Sequence, residues 1–258
     1  MQHLKQKVVV ITGGGSGMGQ QAARLCAEAG AVVALIDVNE AGMQATCAMH
    51  ENIHAFAADI TDFSAVTGAV TSIESDLGPV FRVYNCAAIM PFGKLIEQDN
   101  ATAHKIMDIN YGGLLNLSQA VLPGMVSRGQ GEFISFASMA GIIPTMVTGA
   151  YSASKAAVAF FTEILYHENI DSGVKFACVC PPPVDTPLLD QGRSTHWPKM
   201  LESGPNPIKP EEMINAIEAH LAAGKFWVYH GKGAKVGPLM RRLAPGLIWK
   251  QCHDVEGF

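Results

Sequence analysis

Tyr151 and Lys155 stand four residues apart in the run Tyr-Ser-Ala-Ser-Lys, and Ser138 precedes Tyr151 by thirteen residues. On a helix these two side chains share a face, so the Lys155 ammonium lies beside the Tyr151 phenol and favours its ionised form. A phenol with an ordinary pKa near 10 then becomes a usable proton exchanger. An isolated Tyr-x-x-x-Lys match is more often a solvated pair, so the interpretation depends on what else the chain holds.

A glycine-rich turn lies near the amino end, in Thr12-Gly-Gly-Gly-Ser-Gly-Met-Gly19. It follows a short apolar run at 8–11 and precedes a stretch of helical character. Gly13, Gly17 and Gly19 let the backbone turn tightly and approach a pyrophosphate. The free N–H groups of the helix amino terminus would then face the phosphate charge.

Asp37 ends a second apolar run about twenty residues past the glycine turn. A carboxylate at that point holds the hydroxyls of an adenosine ribose and repels a 2′-phosphate. No Lys or Arg stands at position 38 or in the glycine turn to offset it. We therefore predict NAD rather than NADP as cofactor. The alternative is that Asp37 only caps the helix that follows.

Short apolar runs alternate with longer stretches of helical character, the pattern of βαβ units around a parallel sheet. The candidate strands are 8–11, 32–36, 53–57, 81–84, 133–136, 176–180 and 226–229. The candidate helices are about 17–29, 40–50, 62–77, 101–127, 151–170 and 210–223. The predicted fold class is α/β, with a single domain over residues 1–258. Its doubly wound parallel sheet has about seven strands and helices on both faces.

Composition limits the classes of protein that fit. The chain has 258 residues, of which 48% are hydrophobic and 16% charged, enough for one large core. The formal net charge of −5 is spread without runs of like sign, so nothing favours nucleic acid as a partner. The first apolar run is too short for a signal sequence or a membrane span. We expect a cytoplasmic protein without stable membrane insertion.

The six cysteines and nine histidines lack the paired spacing of a metal site. Most of the cysteines lie in apolar stretches and are interpreted as buried free thiols. Cys178 and Cys180 are alternate residues of one candidate strand, which argues against a redox pair. We predict no metal.

In combination, these motifs resemble the short-chain dehydrogenase/reductase family over about residues 5–230. The resemblance implies a Rossmann-like fold and NAD-dependent hydride transfer to or from a secondary alcohol or ketone. It implies a catalytic set of Asn110, Ser138, Tyr151 and Lys155. Tyr151 would exchange the alcohol proton and Ser138 would donate a hydrogen bond to the substrate oxygen. Lys155, supported by Asn110 through a water, would bind the nicotinamide ribose and lower the pKa of Tyr151.

The resemblance also implies a cofactor-binding set. Asp59 and Ile60 would contact the adenine, although Asp59 is alternatively an N-cap for the helix near 61–62. Asn85 and Ala87 would border the cofactor, and Thr186 would grip its carboxamide. The full set is Gly13, Ser16, Gly17, Met18, Gly19, Asp37, Asp59, Ile60, Asn85, Ala87, Tyr151, Lys155, Pro181, Val184 and Thr186.

Two departures from the family pattern support a rival function. Ala88 and Pro182 stand where the family generally has Gly, and proline offers neither an N–H nor a positive φ. The rival is a catalytically silent dinucleotide-sensing or scaffold protein of the same fold, which would not need the intact catalytic set. An epimerase or dehydratase of the related extended type does not fit the glycine spacing or the chain length.

Two segments break the alternation of strands and helices. We interpret residues 184–209 as a substrate lid rather than a packing or dimer-contact loop, because the segment is long and partly apolar. Around the reacting carbon the resemblance places Met90, Pro91, Phe92, residues 142–147 and this lid. Almost all are apolar, which favours a lipophilic, steroid-like or fatty substrate.

The second segment is the carboxyl-terminal tail, residues 231–258, which mixes apolar residues with Arg241 and Arg242. Pro245 and Gly246 should cut any continuous helix short. We interpret the tail as packing at the pocket mouth or as a subunit contact rather than as a membrane-surface segment. The resemblance further implies a homodimer or homotetramer built on the helices at 101–127 and 151–170.

Overall fold

The computed structural model describes residues 1–257, apart from the side chain of Lys232. Its strands are β1 Val8–Thr12, β2 Val32–Asp37, β3 Ile53–Ala57, β4 Val80–Asn85, β5 Gly131–Phe136, β6 Val174–Cys180 and β7 Trp227–Tyr229. They form one parallel sheet in the spatial order β3-β2-β1-β4-β5-β6-β7. The predicted fold class is confirmed. The strand order reverses between β1 and β4, where sheets of this type bind ligands.

Helices cover both faces of the sheet. They are α1 Gly17–Glu28, α2 Glu40–Cys47, α3 Phe63–Asp76, α4 Asn100–Met107, α5 Gly113–Ser127, α6 Gly149–Glu168, α7 Pro187–Arg193, α8 Lys199–Glu202, α9 Pro210–Ala222, α10 Lys232–Leu243 and α11 Pro245–Glu256. Among these described helices, none combines the length and hydropathy that crossing a bilayer requires.

The strands separate two apolar cores because successive side chains point to opposite faces. In β1, Val8 and Val10 belong to the core against α3, α5 and α6, whereas Val9 and Ile11 belong to the core against α1 and α9. All five β1 residues are buried, as expected for a central parallel strand. The sheet is therefore a rigid base for the loops at its carboxyl edge.

The helix predicted at 101–127 is interrupted. A π-helical turn at Asp108–Gly112 separates α4 from α5 and carries the buried Asn110. Gly113 begins α5 against Ile60, where a Cβ would lie 2.8 Å from the Ile60 side chain. Single π turns inside helices are common at functional sites, and this one reorients Asn110 toward the strand β4 loop.

The segments predicted as a lid and a tail both contain helices that the sequence analysis did not predict. Proline begins α7 and α11 and immediately precedes α8, so here it starts helices rather than ending them. The helix break expected at Pro245 is confirmed, because α10 ends at Leu243. The tail also contacts the lid. The Glu256 carboxylate accepts hydrogen bonds from the backbone N–H groups of Lys199 and Met200, at 3.2 and 2.9 Å.

Asp62 caps α3 by accepting hydrogen bonds from the backbone N–H groups of Ser64 and Ala65, at 2.8 and 3.1 Å. We expect Asp62→Ala to lower the free energy of unfolding by about 1 kcal/mol, because two N–H groups lose their acceptor. Urea denaturation measures this change. Asp62→Asn keeps the acceptor and should cost much less. Equal losses in the two variants would contradict a capping role.

Candidate active site

A cavity of about 700 Å³ lies at the carboxyl ends of the strands. The loops that follow β1 to β6 line it, together with the lid helix α7. Every residue of the predicted catalytic and cofactor-binding sets lines this cavity except Asn85 and Asn110. Residues spread over most of the chain are therefore brought to one place by the parallel sheet.

The turn after β1 forms a cradle that only glycine permits. Gly13 has φ +66°, and a Cβ there would lie 2.9 Å from the backbone of Ala87. A Cβ on Gly19 would collide with the carbonyl oxygen of Gly13. Ser16 is the N-cap residue of α1, but its side chain accepts no hydrogen bond from the helix. The first N–H groups of α1 therefore have no side-chain cap. These features fit the pyrophosphate of a dinucleotide.

Asp37 joins this cradle directly. Its Oδ2 accepts a hydrogen bond from the Gly15 N–H at 2.9 Å, and its Oδ1 accepts one from the Asn39 N–H at 3.0 Å. The N-cap of α2 is Asn39, whose side chain accepts from Gly42. Capping is thus done by a different residue, and the Asp37 carboxylate lies in the lining of the cavity.

Asn85 acts behind the cavity wall. Its Oδ1 accepts a hydrogen bond from the Thr12 hydroxyl at 2.8 Å, and that hydroxyl accepts one from the Ala87 N–H at 3.1 Å. Thr12 and Asn85 are both buried at the ends of the neighbouring strands β1 and β4. This contact fixes the start of the glycine turn relative to the β4 loop. Thr12 was not predicted as a site residue, although it opens the glycine motif.

Asp59 and Ile60 both line the cavity after β3. The Asp59 carboxylate accepts hydrogen bonds from the Thr61 N–H and hydroxyl, at 2.9 and 2.7 Å. The N-cap of α3 is Asp62, so Asp59 does not have the alternative role of capping this helix. Lys105 of α4 also lines the cavity and was missed, since nothing in its sequence neighbourhood marks it.

The proposed catalytic side chains converge at the inner part of the cavity. Tyr151 and Lys155 lie one turn apart on α6 and are 5% and 3% exposed, while Ser138 follows β5. The Lys155 Nζ lies 5.9 Å from the centroid of the Tyr151 ring. It donates a hydrogen bond to the carbonyl oxygen of Phe136 at 2.7 Å. The predicted shared helix face is confirmed.

Burial dominates the protonation of this pair. Burial raises the pKa of Tyr151 to about 12, and a hydrogen bond with the Ser138 side chain opposes that rise. Burial also lowers the pKa of Lys155 to about 8. From the sequence, Lys155 is expected to lower the pKa of Tyr151. The direction is opposite, because desolvation of the Tyr151 phenol raises its pKa by more than the Ser138 side chain lowers it.

Replacing Lys155 with Met should make the protein more stable at neutral pH, by at most about 3 kcal/mol, because the lowered pKa reflects a cost of burying the ammonium. Between about pH 8 and pH 10.5, Lys155 binds more protons in the unfolded chain than in the folded one. The free energy of unfolding of wild type therefore increases relative to that of the variant as pH rises through that range. Because the variant also loses the hydrogen bond to the Phe136 carbonyl, its gain in stability at neutral pH is smaller than the burial cost alone. The pH dependence of the stability difference between wild type and variant is therefore the test.

Chemical denaturation at several pH values measures this difference. The matched control is Lys225→Met, which removes the ammonium of an exposed lysine outside the cavity lining. A Lys155→Met difference that stays constant from pH 7 to beyond about pH 10 would contradict the burial cost.

Asn110 is committed to structural hydrogen bonds. Its Oδ1 accepts from the Ile89 N–H at 2.8 Å, and its Nδ2 donates to the Ile89 carbonyl at 3.0 Å and to the Ser154 hydroxyl at 2.9 Å. Ser154 immediately precedes Lys155 on α6. Asn110 therefore ties the β4 loop to the helix that carries Tyr151 and Lys155, and it does not line the cavity.

The triple proline after β6 also forms cavity wall, with Val184 and Thr186. The Pro181 carbonyl accepts a hydrogen bond from the Met139 N–H at 3.1 Å, which joins this loop to the one carrying Ser138. Thr186 precedes α7, and its side chain faces Gly17, where a Cβ would lie 3.2 Å from the Thr186 Cβ. The lid therefore begins in contact with the glycine cradle.

The rest of the cavity is mostly apolar. Its lining includes Met90, Phe92, Ile143, Leu188, Leu189 and Leu201, with Gln191, Thr145 and Thr148 as polar members. Of the predicted substrate residues, Pro91, Ile142, Pro144, Met146 and Val147 do not line it. No group of three His, Cys, Asp or Glu residues arranged to hold a metal ion occurs among the described residues.

Hydrogen bonds hold the segment predicted as a lid against this wall. The Gln191 side chain accepts from the Met90 N–H at 2.5 Å, and the Thr195 hydroxyl accepts from the Phe92 N–H at 2.8 Å. Phe92 in turn packs edge-on against the Tyr151 ring, with centroids 5.8 Å apart. The lid, the β4 loop and the proposed proton exchanger thus form one packed unit.

Comparisons with known proteins agree with this geometry. A family model described as short chain dehydrogenase matches residues 7–197. Among curated proteins, 2-(S)-hydroxypropyl-CoM dehydrogenase 3 of Xanthobacter autotrophicus is 34% identical over 192 residues, which is 73% of this chain and 75% of that protein. The 2-dehydro-3-deoxy-L-rhamnonate dehydrogenase (NAD(+)) of a Sphingomonas species is 36% identical over 187 residues, 72% and 75% of the two chains.

A solved structure supports the same fold. The crystal structure of a short chain dehydrogenase/reductase from Burkholderia phymatum in complex with NAD superposes with a TM-score of 0.85 over 96% of each chain, at 23% identity. The family match ends inside the lid, so helices α8 to α11 lie beyond it. From the family match and the two curated relatives, the chain belongs to the short-chain dehydrogenase family of oxidoreductases.

Proposed function

We propose that the protein transfers a hydride between NAD(H) and a secondary alcohol or ketone, with Tyr151 as the proton exchanger. The observation that carries this proposal is the convergence of Ser138, Tyr151 and Lys155 in the cavity that also contains the glycine cradle and Asp37. A module that only bound a dinucleotide would not need a buried phenol and a buried amine one helical turn apart.

The cofactor would be held along the floor of the cavity. The amide groups at the start of α1 face the pyrophosphate position, the Asp37 carboxylate suits ribose hydroxyls, and Asp59 and Ile60 border the adenine position. When bound, the nicotinamide supplies or accepts the hydride. Lys155 would bind the nearer ribose, with Pro181, Val184 and Thr186 beside the carboxamide. One relative is named as NAD(+)-dependent and one similar structure contains NAD, which supports NAD as the cofactor.

The chain's own residues would manage the proton and the substrate oxygen. Neutral Tyr151, whose pKa is raised by burial, donates its Oη proton to the oxygen of a ketone and recovers one when an alcohol is oxidised. The Ser138 hydroxyl donates a hydrogen bond to the same oxygen. Lys155 places a positive charge beside the phenol, which favours the phenolate that forms after donation.

We infer that the substrate is lipophilic. Met90, Phe92, Ile143, Leu188 and Leu189 form most of the wall beyond Tyr151 and Ser138. The relatives' names specify substrates that differ from each other, and much of the lid and tail lies beyond the family match. The substrate class is therefore inferred from this chain's own cavity.

A panel of secondary alcohols tests the substrate class. We expect kcat/KM with NAD to be at least about tenfold higher for fatty or steroid alcohols than for polyols, because the wall offers few hydrogen-bond partners. Leu188→Ser should lower kcat/KM for the apolar class by about tenfold and leave the Kd for NAD unchanged. The matched control is Leu247→Ser, an exposed position away from the cavity. Faster turnover of polyols would overturn the inferred class.

We also infer a homodimer or homotetramer built on α5 and α6. Phe160 and Ile164 of α6 are 66% and 43% exposed, and Val126 of α5 is 37% exposed. Large apolar side chains on a helix surface are typical of subunit contacts. Light scattering that gives the mass of a single chain would contradict this inference.

A further inference from the structure

Helix α10 of the tail presents an apolar face to solvent. Val236, Leu239 and Leu243 are 54%, 56% and 70% exposed. At 3.6 residues per turn they lie within an arc of about 60° on one side of the helix. Ala234 and Gly237 lie on the other side, where Ala234 is buried and a Cβ on Gly237 would collide with Ile143. The amphipathic helix is thus docked by its small residues and leaves its large apolar residues unpartnered.

This concentration of apolar surface is local. Six of the fifteen large apolar side chains that are exposed among the described residues lie between 236 and 249, including Leu247 and Trp249 of α11. Isolated exposed apolar residues need no explanation, but a contiguous set usually marks an interaction site.

Basic residues border the apolar face. Lys235 and Arg242, seven positions apart, fall together on one flank of Val236, Leu239 and Leu243. Helix α10 contains no Asp or Glu, and residues 231–258 hold five Lys or Arg against two Asp or Glu. The whole chain has a formal net charge of −5, so this segment is a positive region on an acidic protein.

We propose that the outer face of α10, defined by Val236, Leu239, Leu243, Lys235 and Arg242, docks onto the surface of an anionic lipid bilayer. Apolar side chains would enter the boundary between headgroups and acyl chains, while the two cations contact lipid phosphates. A second copy of the chain fits less well, because a two-fold contact through this face would bring like charges together.

Helix α10 borders the cavity. The inner side of α10 packs on Ile143, which lines the cavity, and α11 contacts the lid helix α8. Docking through the outer face would hold the mouth of the cavity near the membrane surface. The docking proposal does not depend on the identity of the substrate or on catalysis.

Vesicle sedimentation tests the proposal with the full chain. We expect binding to vesicles of phosphatidylcholine and phosphatidylglycerol in a roughly two-to-one ratio, and much weaker binding to phosphatidylcholine alone or at high salt. Lys235→Gln with Arg242→Gln should weaken binding by about thirtyfold, at the usual contribution of each cation near such a surface. The charge-matched control is Lys209→Gln with Lys225→Gln, which should bind like wild type.

The apolar half of the face is tested by Leu239→Ser with Leu243→Ser, which should weaken vesicle binding by at least about tenfold. Ile96→Ser with Ile170→Ser removes two exposed apolar side chains outside the tail and is the matched control. Circular dichroism and NAD binding establish that each variant is folded. Wild-type protein that stays in the supernatant with mixed vesicles would overturn the proposal. Equal losses in variant and control would also overturn it. In the absence of lipid, a lower molecular mass for the Leu239→Ser, Leu243→Ser variant than for wild type would also overturn the proposal. That result would assign the face to contact with a second copy of the chain.

Discussion

Replacing Tyr151 with Phe is expected to lower kcat by about 10²–10⁴-fold, the usual contribution of a positioned proton exchanger. The variant loses only the Oη atom, and its ring keeps the same contact with Phe92. Because Tyr151 is not among the groups that would hold the adenosine or the pyrophosphate, the Kd for NAD should change by less than about threefold. Steady-state kinetics and fluorescence titration measure the two quantities separately.

Tyr166→Phe is the matched control for this variant. It removes a hydroxyl from the same helix, α6, at a residue stacked on Phe226 with centroids 4.8 Å apart and outside the cavity lining. We expect its kcat to be close to that of wild type. A Tyr151→Phe enzyme that retained more than about a tenth of wild-type kcat would contradict the role of Tyr151.

Replacing Asp37 with Asn should reduce the preference for NAD over NADP by about 10²–10³-fold. Two like charges about 4 Å apart interact by roughly 4 kcal/mol at an effective dielectric constant of 20, so one carboxylate suffices to disfavour a 2′-phosphate. Asn keeps one oxygen acceptor for the backbone N–H groups that Asp37 now holds. The ratio of the two Kd values, measured by isothermal titration, gives the change.

Glu40→Gln removes a charge of the same sign from an exposed position three residues further along the chain and should change the ratio by less than about threefold. The cavity lining also contains the cations Lys105 and Lys155, of which Lys155 is buried beside Tyr151. Wild-type protein that bound NADPH more tightly than NADH would contradict the role of Asp37.

Periodicity predicted the sheet well because parallel strands are buried on both faces and stand out as apolar runs. Each of the seven predicted strands overlaps an observed one, and the strand ends differ by two residues or fewer. The helices of the lid and tail were missed because proline and glycine were interpreted as breaks. Pro187 and Pro245 occupy first helical positions, where a missing N–H costs nothing.

The cavity residues were predictable where a backbone requirement marks them. Gly13 and Gly19 have no room for a Cβ, and Tyr151 and Lys155 share a helix face. Lys105 carries no such mark, because it reaches the cavity only through the packing of α4. The direction of the Tyr151 pKa shift could not be predicted from the sequence either. The spacing indicates a neighbouring cation but not the degree of burial that raises the pKa.

A buried ionic cluster outside the cavity illustrates the same limit. Arg82 of β4 is fully buried, and its guanidinium pairs with Glu132 of β5 and Glu218 of α9. Its sequence neighbours are apolar, and the pairing depends on the register that sets Arg82 beside Glu132. A single charged residue in an apolar strand does not specify its partner, so only the folded sheet identifies it.

Transfer of a label from substrate to cofactor tests the central claim most directly. The secondary alcohol with the highest kcat/KM in the panel is prepared with deuterium on the carbinol carbon and incubated with NAD and the enzyme. We predict one deuterium per turnover in the reduced dinucleotide by mass spectrometry, and label transfer about 10²–10⁴-fold slower with Tyr151→Phe. Tight NAD binding without turnover or label transfer for any alcohol or ketone tested would contradict the account and favour a silent dinucleotide-sensing protein.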